Sequence, residues 1–105
     1  MKKLIVVLVS FLFCIGISTA AMADPFQNGS FEEGPASVDS FITLFDGDTS
    51  ITGWTVTAGS IDLIGDYWIA SDGERSIDLN GNGPGAISQE FDTEPGLIYH
   101  VLFDK

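Results

Sequence analysis

Two adjacent aromatic residues, Tyr67 and Trp68, are the side chains of this sequence best suited to bind a ligand. They follow Asp66 and precede Asp72, at the junction between a predicted strand and a loop. Because consecutive strand residues point in opposite directions, at least one ring should face the solvent. Exposed aromatic rings stack on the apolar faces of sugars, while nearby polar groups meet the hydroxyls. We therefore predict a carbohydrate-binding surface at Tyr67, Trp68 and Asp72; the alternative is that the rings simply pack in the interior.

Residues that carry the common catalytic mechanisms are scarce. The one cysteine, Cys14, lies in an N-terminal apolar run, and the one histidine, His100, lies in a predicted strand, where structural roles are commoner. The residues that follow the apolar run contain no cysteine, so Cys-His catalysis is excluded for them. A Ser-His-Asp triad would have to use His100. Nucleotide-binding and hydrolase motifs are absent, and no spacing favours a glycosidase-like carboxylate pair. We predict a protein without catalytic residues.

The first 23 residues have the features of a secretory signal peptide. Two lysines precede an apolar run from Leu4 to Ile17, and Ala21-Met22-Ala23 matches a small-residue cleavage site. The run is shorter than the about 20 residues that a membrane-spanning helix needs. A lipoprotein signal is a weaker alternative, because Cys14 lacks the small residue expected before it. We predict that residues 1–23 are removed and that the protein is extracellular or in the cell envelope.

The remaining residues, 24–105, are strongly acidic. They hold all 15 acidic residues but only two basic ones, Arg75 and Lys105, for a formal net charge of −13. Such a charge disfavours nucleic acids and anionic lipid headgroups as partners. It suits an exported protein that stays soluble or binds cations. Without a cysteine, this part of the chain forms no disulfide.

Short alternating segments separated by Gly, Asp, Ser and Thr predict an all-β sandwich or barrel. The predicted antiparallel strands are 51–58, 60–64, 75–80, 86–91 and 97–103. In the first of them, Trp54 and Val56 share one face, and Trp54 is expected in the core. The glycine-rich turn Asn80–Gly85 predicts a hairpin between the third and fourth strands. Residues Phe41–Phe45 fit either a strand or a brief helical turn.

The last predicted strand comes close to the final residue. Its apolar residues, at positions 97, 99, 101 and 103, alternate as in a central strand, and the sequence stops two residues later. We therefore expect the chain to be a fragment of a longer protein. A fragment of this kind should leave an unpaired sheet edge and exposed apolar side chains, which favour aggregation.

Four segments together resemble a known family. They are NGSFEEGP, ITGWTVTAGSIDLIG, SDGERSIDLNG and AISQEFDTEPGLIYHVLFD, in this order and spacing. The chain is similar to the choice-of-anchor C family of exported bacterial proteins and to the related domain of unknown function 642 family of plant cell walls. The resemblance implies a galactose-binding-like jelly-roll β-sandwich, of which residues 24–105 are the N-terminal part. It also implies that any membrane attachment uses an anchor absent from this chain.

A structural calcium ion is implied by the same resemblance. In carbohydrate-binding modules of the implied fold, a segment like NGSFE often supplies a carboxylate to calcium, and the matching residue here is Glu32. The residues themselves offer acidic loops but no EF-hand spacing, so solvated loop charge is the alternative.

Two classes of function follow. The first is a secreted or envelope-associated, non-catalytic binding module for polysaccharide. The second is a structural or adhesive surface protein without a small-ligand site. The exposure or burial of Tyr67 and Trp68 should discriminate between them.

Overall fold

The computed structural model describes residues 2–4, 18–20 and 24–105. The predicted signal peptide lies for the most part outside these residues and stays a prediction. The described residues form an all-β fold without helices, so they contain no helix that is long and apolar enough to cross a membrane. The strands are β1 (Lys2–Leu4), β2 (Ser18–Ala20), β3 (Phe41–Phe45), β4 (Thr55–Ala58), β5 (Ser60–Ile64), β6 (Ser76–Asp78) and β7 (Ala86–Ser88).

All strand pairs are antiparallel. In residues 24–105, β5 lies between β3 and β6 in one sheet, and β4 pairs with β7 in a second. Near the N-terminus, β1 pairs with β2. The two sheets of residues 24–105 are consistent with the predicted sandwich. Residues Phe41–Phe45, which fitted either a strand or a helical turn, form β3 because they pair along their whole length with β5.

The core is built around the central strand β5. Ile61 and Leu63, which share one face of the strand, are fully buried, and Ile64 on the other face is almost so, which means that both faces of β5 are covered. Leu44 of the neighbouring strand β3 and Val56 of β4, in the second sheet, belong to the same buried cluster. Trp54 packs against this cluster, as the sequence predicted.

The hairpin predicted around the glycine-rich turn is wrong. β6 pairs with β5 whereas β7 pairs with β4, so the chain crosses between the sheets from Asn80 to Gly85. An isolated bridge joins Asn80 to Pro84. The turn packs instead on the start of β5, where Asn82 N donates to Ser60 Oγ at 2.8 Å. A side chain at Gly85 would overlap the Ser60 carbonyl, so this close approach requires glycine.

The strand predicted at 97–103 is also wrong, since these residues lie in no strand. Their side chains are exposed, with Val101 at 80% and Leu102 at 90%. Alternation gives the segment an apolar face, but a strand forms only where a neighbour supplies hydrogen bonds. None of the described strands pairs with it.

Candidate functional site

Three exposed aromatic rings lie side by side where the chain leaves β5. Tyr67 is 62% exposed and Trp68 is 43% exposed. Their ring centroids are 5.4 Å apart, and Tyr67 makes a second edge-to-face contact with Phe41 of β3 at 5.7 Å. We call Phe41, Tyr67 and Trp68 the aromatic patch. The structure therefore brings Tyr67 and Trp68 together at the surface, with Phe41 as a third member that the sequence did not single out.

Backbone hydrogen bonds fix the segment that carries the patch. Gly65 N donates to Ser40 O at 2.8 Å, and Asp66 N donates to Asp39 O at 2.8 Å. Tyr67 N also donates to Ser40 O, at 3.3 Å. The segment after β5 is thus tied to the residues that precede β3. The two rings are presented from a fixed backbone.

A side-chain hydrogen bond orients Trp68. Its indole Nε1 donates to Ser76 Oγ, in the first residue of β6, at 2.8 Å. An indole has a single donor, so this bond satisfies its only polar atom and leaves the ring surface for apolar contact.

A cleft of about 580 Å³ lies beside this indole, and we call it the Trp68 cleft. Ile69, Ala70 and Gly73 form part of its wall. Asp66, Glu74 and Arg75 supply the charged side chains at its border. The cleft thus combines one aromatic surface with several hydrogen-bonding groups.

Asp72, predicted as part of the same surface, lines a different depression. This apolar groove has a volume of about 640 Å³ and includes Arg75 in its wall. Its apolar lining consists of Phe26, Phe31, Trp54, Ile77, Leu79, Ile87, Val101, Leu102 and Phe103. The loop 71–75 separates the groove from the Trp68 cleft, and Arg75 reaches both.

Glu32, in the 28–35 segment, holds the loop 71–75 through two hydrogen bonds. Its Oε1 accepts hydrogen bonds from the backbone amides of Glu74 at 2.8 Å and Arg75 at 3.0 Å. Gly73, with a φ of 69°, makes room, because a Cβ there would overlap the Glu32 carboxylate. The described residues contain no group of three or more His, Cys, Asp or Glu side chains that could hold a metal ion. A calcium-binding role for Glu32 stays a prediction.

Asn28 is the most connected polar side chain near the site. Its Nδ2 donates to the carbonyls of Glu33 and Thr52, both at 2.8 Å, and its Oδ1 accepts from Glu33 N at 2.9 Å. Its own carbonyl accepts from the indole of Trp54 at 2.9 Å. Asn28 has a φ of 52°, a left-handed conformation that asparagine tolerates better than most residues. The Asn-Gly pair signalled the turn, but not this network.

Arg75 is the one basic residue between positions 24 and 104. Its NH2 group donates to the Pro35 carbonyl at 2.8 Å, across to the 28–35 segment. Its NH1 group is buried and has no hydrogen-bond partner in the part of the chain that the structure describes. Arg75 was not predicted as a site residue, and its isolation among acidic residues was the available signal.

Comparison with known proteins identified a family and a relative. A family model described as "Protein of unknown function (DUF642)" matches residues 24–105. The chain is also similar to Halomucin of Haloquadratum walsbyi, with 42% identity over 103 residues. That alignment covers 94% of this chain and 1% of Halomucin, so the chain spans about a hundredth of that relative's length. No solved structure matches the chain.

Proposed function

This chain belongs to the DUF642 family, and from this premise we propose that it is a non-catalytic, exported module that binds polysaccharide through the aromatic patch. The carrying observation is that Tyr67 and Trp68 are exposed side by side. Burial of both rings against the sheet would have favoured a purely structural protein. The proposal includes a jelly-roll sandwich of the galactose-binding type, as in choice-of-anchor C proteins.

The chemistry of the patch suits a saccharide. Sugar rings have apolar C–H faces that pack on aromatic rings, and they carry hydroxyls that require hydrogen-bond partners. Trp68 offers the ring, and the carboxylates of Asp66 and Glu74 border the adjacent cleft. The cleft volume of about 580 Å³ falls within the range of small-ligand sites.

A surface or secreted location is part of the proposal. The similarity to Halomucin supports it, since the name of that relative points to a mucin-type protein. The acidic surface also supports it, because a net charge far from zero keeps an exported protein soluble. The predicted signal peptide is consistent with the same location.

The second candidate function is a structural or adhesive surface module without a small-ligand site. One comparison favours it: the matching region is only 1% of Halomucin, as expected for a small unit within a very long protein. In this alternative the aromatic patch would contact protein, and no soluble glycan would bind.

Affinity electrophoresis of the exported protein tests the proposal. Native gels should contain xylan, a neutral cellulose derivative or pectin, with a polysaccharide-free gel and an unrelated acidic protein as references. We expect retardation by at least one neutral polysaccharide. Unchanged mobility in every gel would contradict the proposal and favour the structural alternative.

Neutral glycans should bind better than acidic ones. Residues 24–105 carry a formal charge of −13, which repels a polyuronate, and added salt screens this repulsion. We expect xylose oligomers to bind more tightly than galacturonate oligomers at low salt. Raising the salt concentration to about 0.15 M should reduce the difference between the two affinities, because it shortens the Debye length to about 8 Å. Titration of tryptophan fluorescence measures both affinities. Tighter binding of the galacturonate oligomer at low salt would contradict this prediction.

A further inference from the structure

The carboxylate of Glu32 and the indole of Trp68 are attached to neighbouring points of one short segment. Glu32 Oε1 accepts hydrogen bonds from the amides of Glu74 and Arg75, and Trp68 Nε1 donates to the hydroxyl of Ser76, the next residue. Three consecutive residues therefore connect a side chain of the 28–35 loop with the ring proposed to bind saccharide.

The hydrogen bonds that Glu32 accepts are charge-assisted. A carboxylate that accepts from two successive backbone amides makes charge-assisted hydrogen bonds, which are roughly twice as strong as neutral ones. Gly73 turns the backbone so that both amides point at the same oxygen, and its lack of a side chain leaves the carboxylate its place. Glu32 therefore fixes the turn at 73–75 through the backbone amides of its last two residues.

Ser76 transmits this position to the ring. It is the first residue of β6 and pairs with Ile64 of β5, so it lies where the turn becomes a strand. Strand pairing holds Ser76 on one side and the turn adjoins it on the other, so a displaced turn changes the direction of the hydroxyl to which Trp68 donates. Trp68 is 43% exposed, so packing alone covers little more than half of it.

We propose that Glu32 is a positioning residue of the saccharide site, which holds the 73–76 segment so that Ser76 orients the Trp68 ring. This inference rests on the proposed function for its ligand, but the positioning itself is a property of the free protein. It gives Glu32 a role different from the calcium ligand that the family resemblance implied. The two roles make opposite predictions for a neutral isostere.

The experiment uses the exported protein labelled with 5-fluorotryptophan. The chain has two tryptophans, Trp54 and Trp68, so fluorine NMR gives two resonances, which Trp68→Phe assigns. The test variants are Glu32→Ala, Glu32→Gln and Ser76→Ala. Glu33→Ala is the matched control, because Glu33 is also exposed and contributes only backbone groups to the hydrogen bonds described above.

We expect Glu32→Ala and Ser76→Ala to shift and broaden the Trp68 resonance while the Trp54 resonance stays in place. Affinity for a xylose oligomer should fall by about fivefold, which corresponds to about 1 kcal/mol. Glu32→Gln keeps an oxygen at the accepting position but loses the charge that strengthens its bonds, so its affinity should lie between those of Glu32→Ala and the wild type. Glu33→Ala should resemble the wild type in both measurements.

Two results would overturn the proposal. One is an unchanged Trp68 resonance in Glu32→Ala, whatever the result for Ser76→Ala. The other is a loss in Glu32→Gln as large as in Glu32→Ala, matched by adding a calcium chelator to the wild type, which would make Glu32 a calcium ligand. If Glu32→Ala unfolds, Glu32→Asp, whose side chain is one methylene shorter, takes its place with the same expected outcomes. The resonances are recorded without saccharide, so a wild type that binds no glycan refutes the proposed function without obscuring whether Glu32 orients Trp68.

Discussion

Replacing Asn28 by alanine should lower the free energy of unfolding by about 3 kcal/mol through lost hydrogen bonds alone, since the three bonds are worth about 1 kcal/mol each. The side chain joins the carbonyls of Glu33 and Thr52 and also accepts from the Glu33 amide. These bonds tie the 28–33 turn to the start of the segment that leads into β4. A further cost arises because alanine disfavours the left-handed backbone at this position.

Urea denaturation of the protein measures this effect. Asn28→Gly separates the two contributions, because glycine adopts a positive φ freely and lacks the side-chain bonds. It should be less destabilised than Asn28→Ala by about 1 kcal/mol. Asn82→Ala is the control, since its side chain makes none of the hydrogen bonds found in the described residues. A loss below about 1 kcal/mol in Asn28→Ala would show that water replaces the network at little cost.

Removing the Trp68 ring should abolish detectable polysaccharide binding. Loss of a stacking aromatic should cost about 1–3 kcal/mol, the burial energy of one large apolar side chain. Saccharides bind weakly at the outset because their hydroxyls must leave water before they pair with the protein. A reduction of this size takes a weak affinity out of the range of gel retardation. Tyr67→Ala should also weaken binding, because Tyr67 packs between Trp68 and Phe41.

Affinity electrophoresis of Trp68→Ala and Tyr67→Ala beside the wild type measures this loss. Phe45→Ala is the matched control, because Phe45 is an exposed aromatic residue, 55% accessible, at the opposite end of β3 from Phe41. Each variant should first show a wild-type thermal transition. If both patch variants are folded and still retarded as strongly as the wild type, the polysaccharide contacts lie elsewhere.

Strand positions were predictable where burial follows the local pattern. The predicted strand 60–64 matches β5, because apolar residues in the middle of a sheet dominate its sequence. The predicted strands 51–58, 75–80 and 86–91 are present but shorter. The pairing partner of each strand was less predictable, because it depends on which strand edge is still unpaired in the folded sheet. The glycine-rich turn suited a hairpin locally, yet contacts with Ser60 direct it across β5.

Of the candidate site, only the exposed rings were predictable from the sequence. Adjacent strand residues diverge, so one ring of Tyr67 and Trp68 had to face outward, and the structure shows both exposed. Asp72 was assigned to the same surface because it is near in sequence, but it lines the apolar groove. The contact of Glu32 with the amides of Glu74 and Arg75 joins residues more than 40 positions apart. No local pattern reports such a contact.

The passage of residues 80–85 from one sheet to the other has a consequence for folding kinetics. β4 pairs with β7, and Thr55 opposite Ser88 closes a long loop that contains both β5 and β6. During synthesis, β4 therefore emerges well before its partner and stays unpaired while the first sheet assembles. Long loop closures of this kind place β proteins among slow folders, in milliseconds to seconds, and stopped-flow refolding should show this range rather than microseconds. The apolar Val56 stays accessible to other chains during that interval, so protein refolded under dilute conditions should yield more monomer than protein refolded at high concentration.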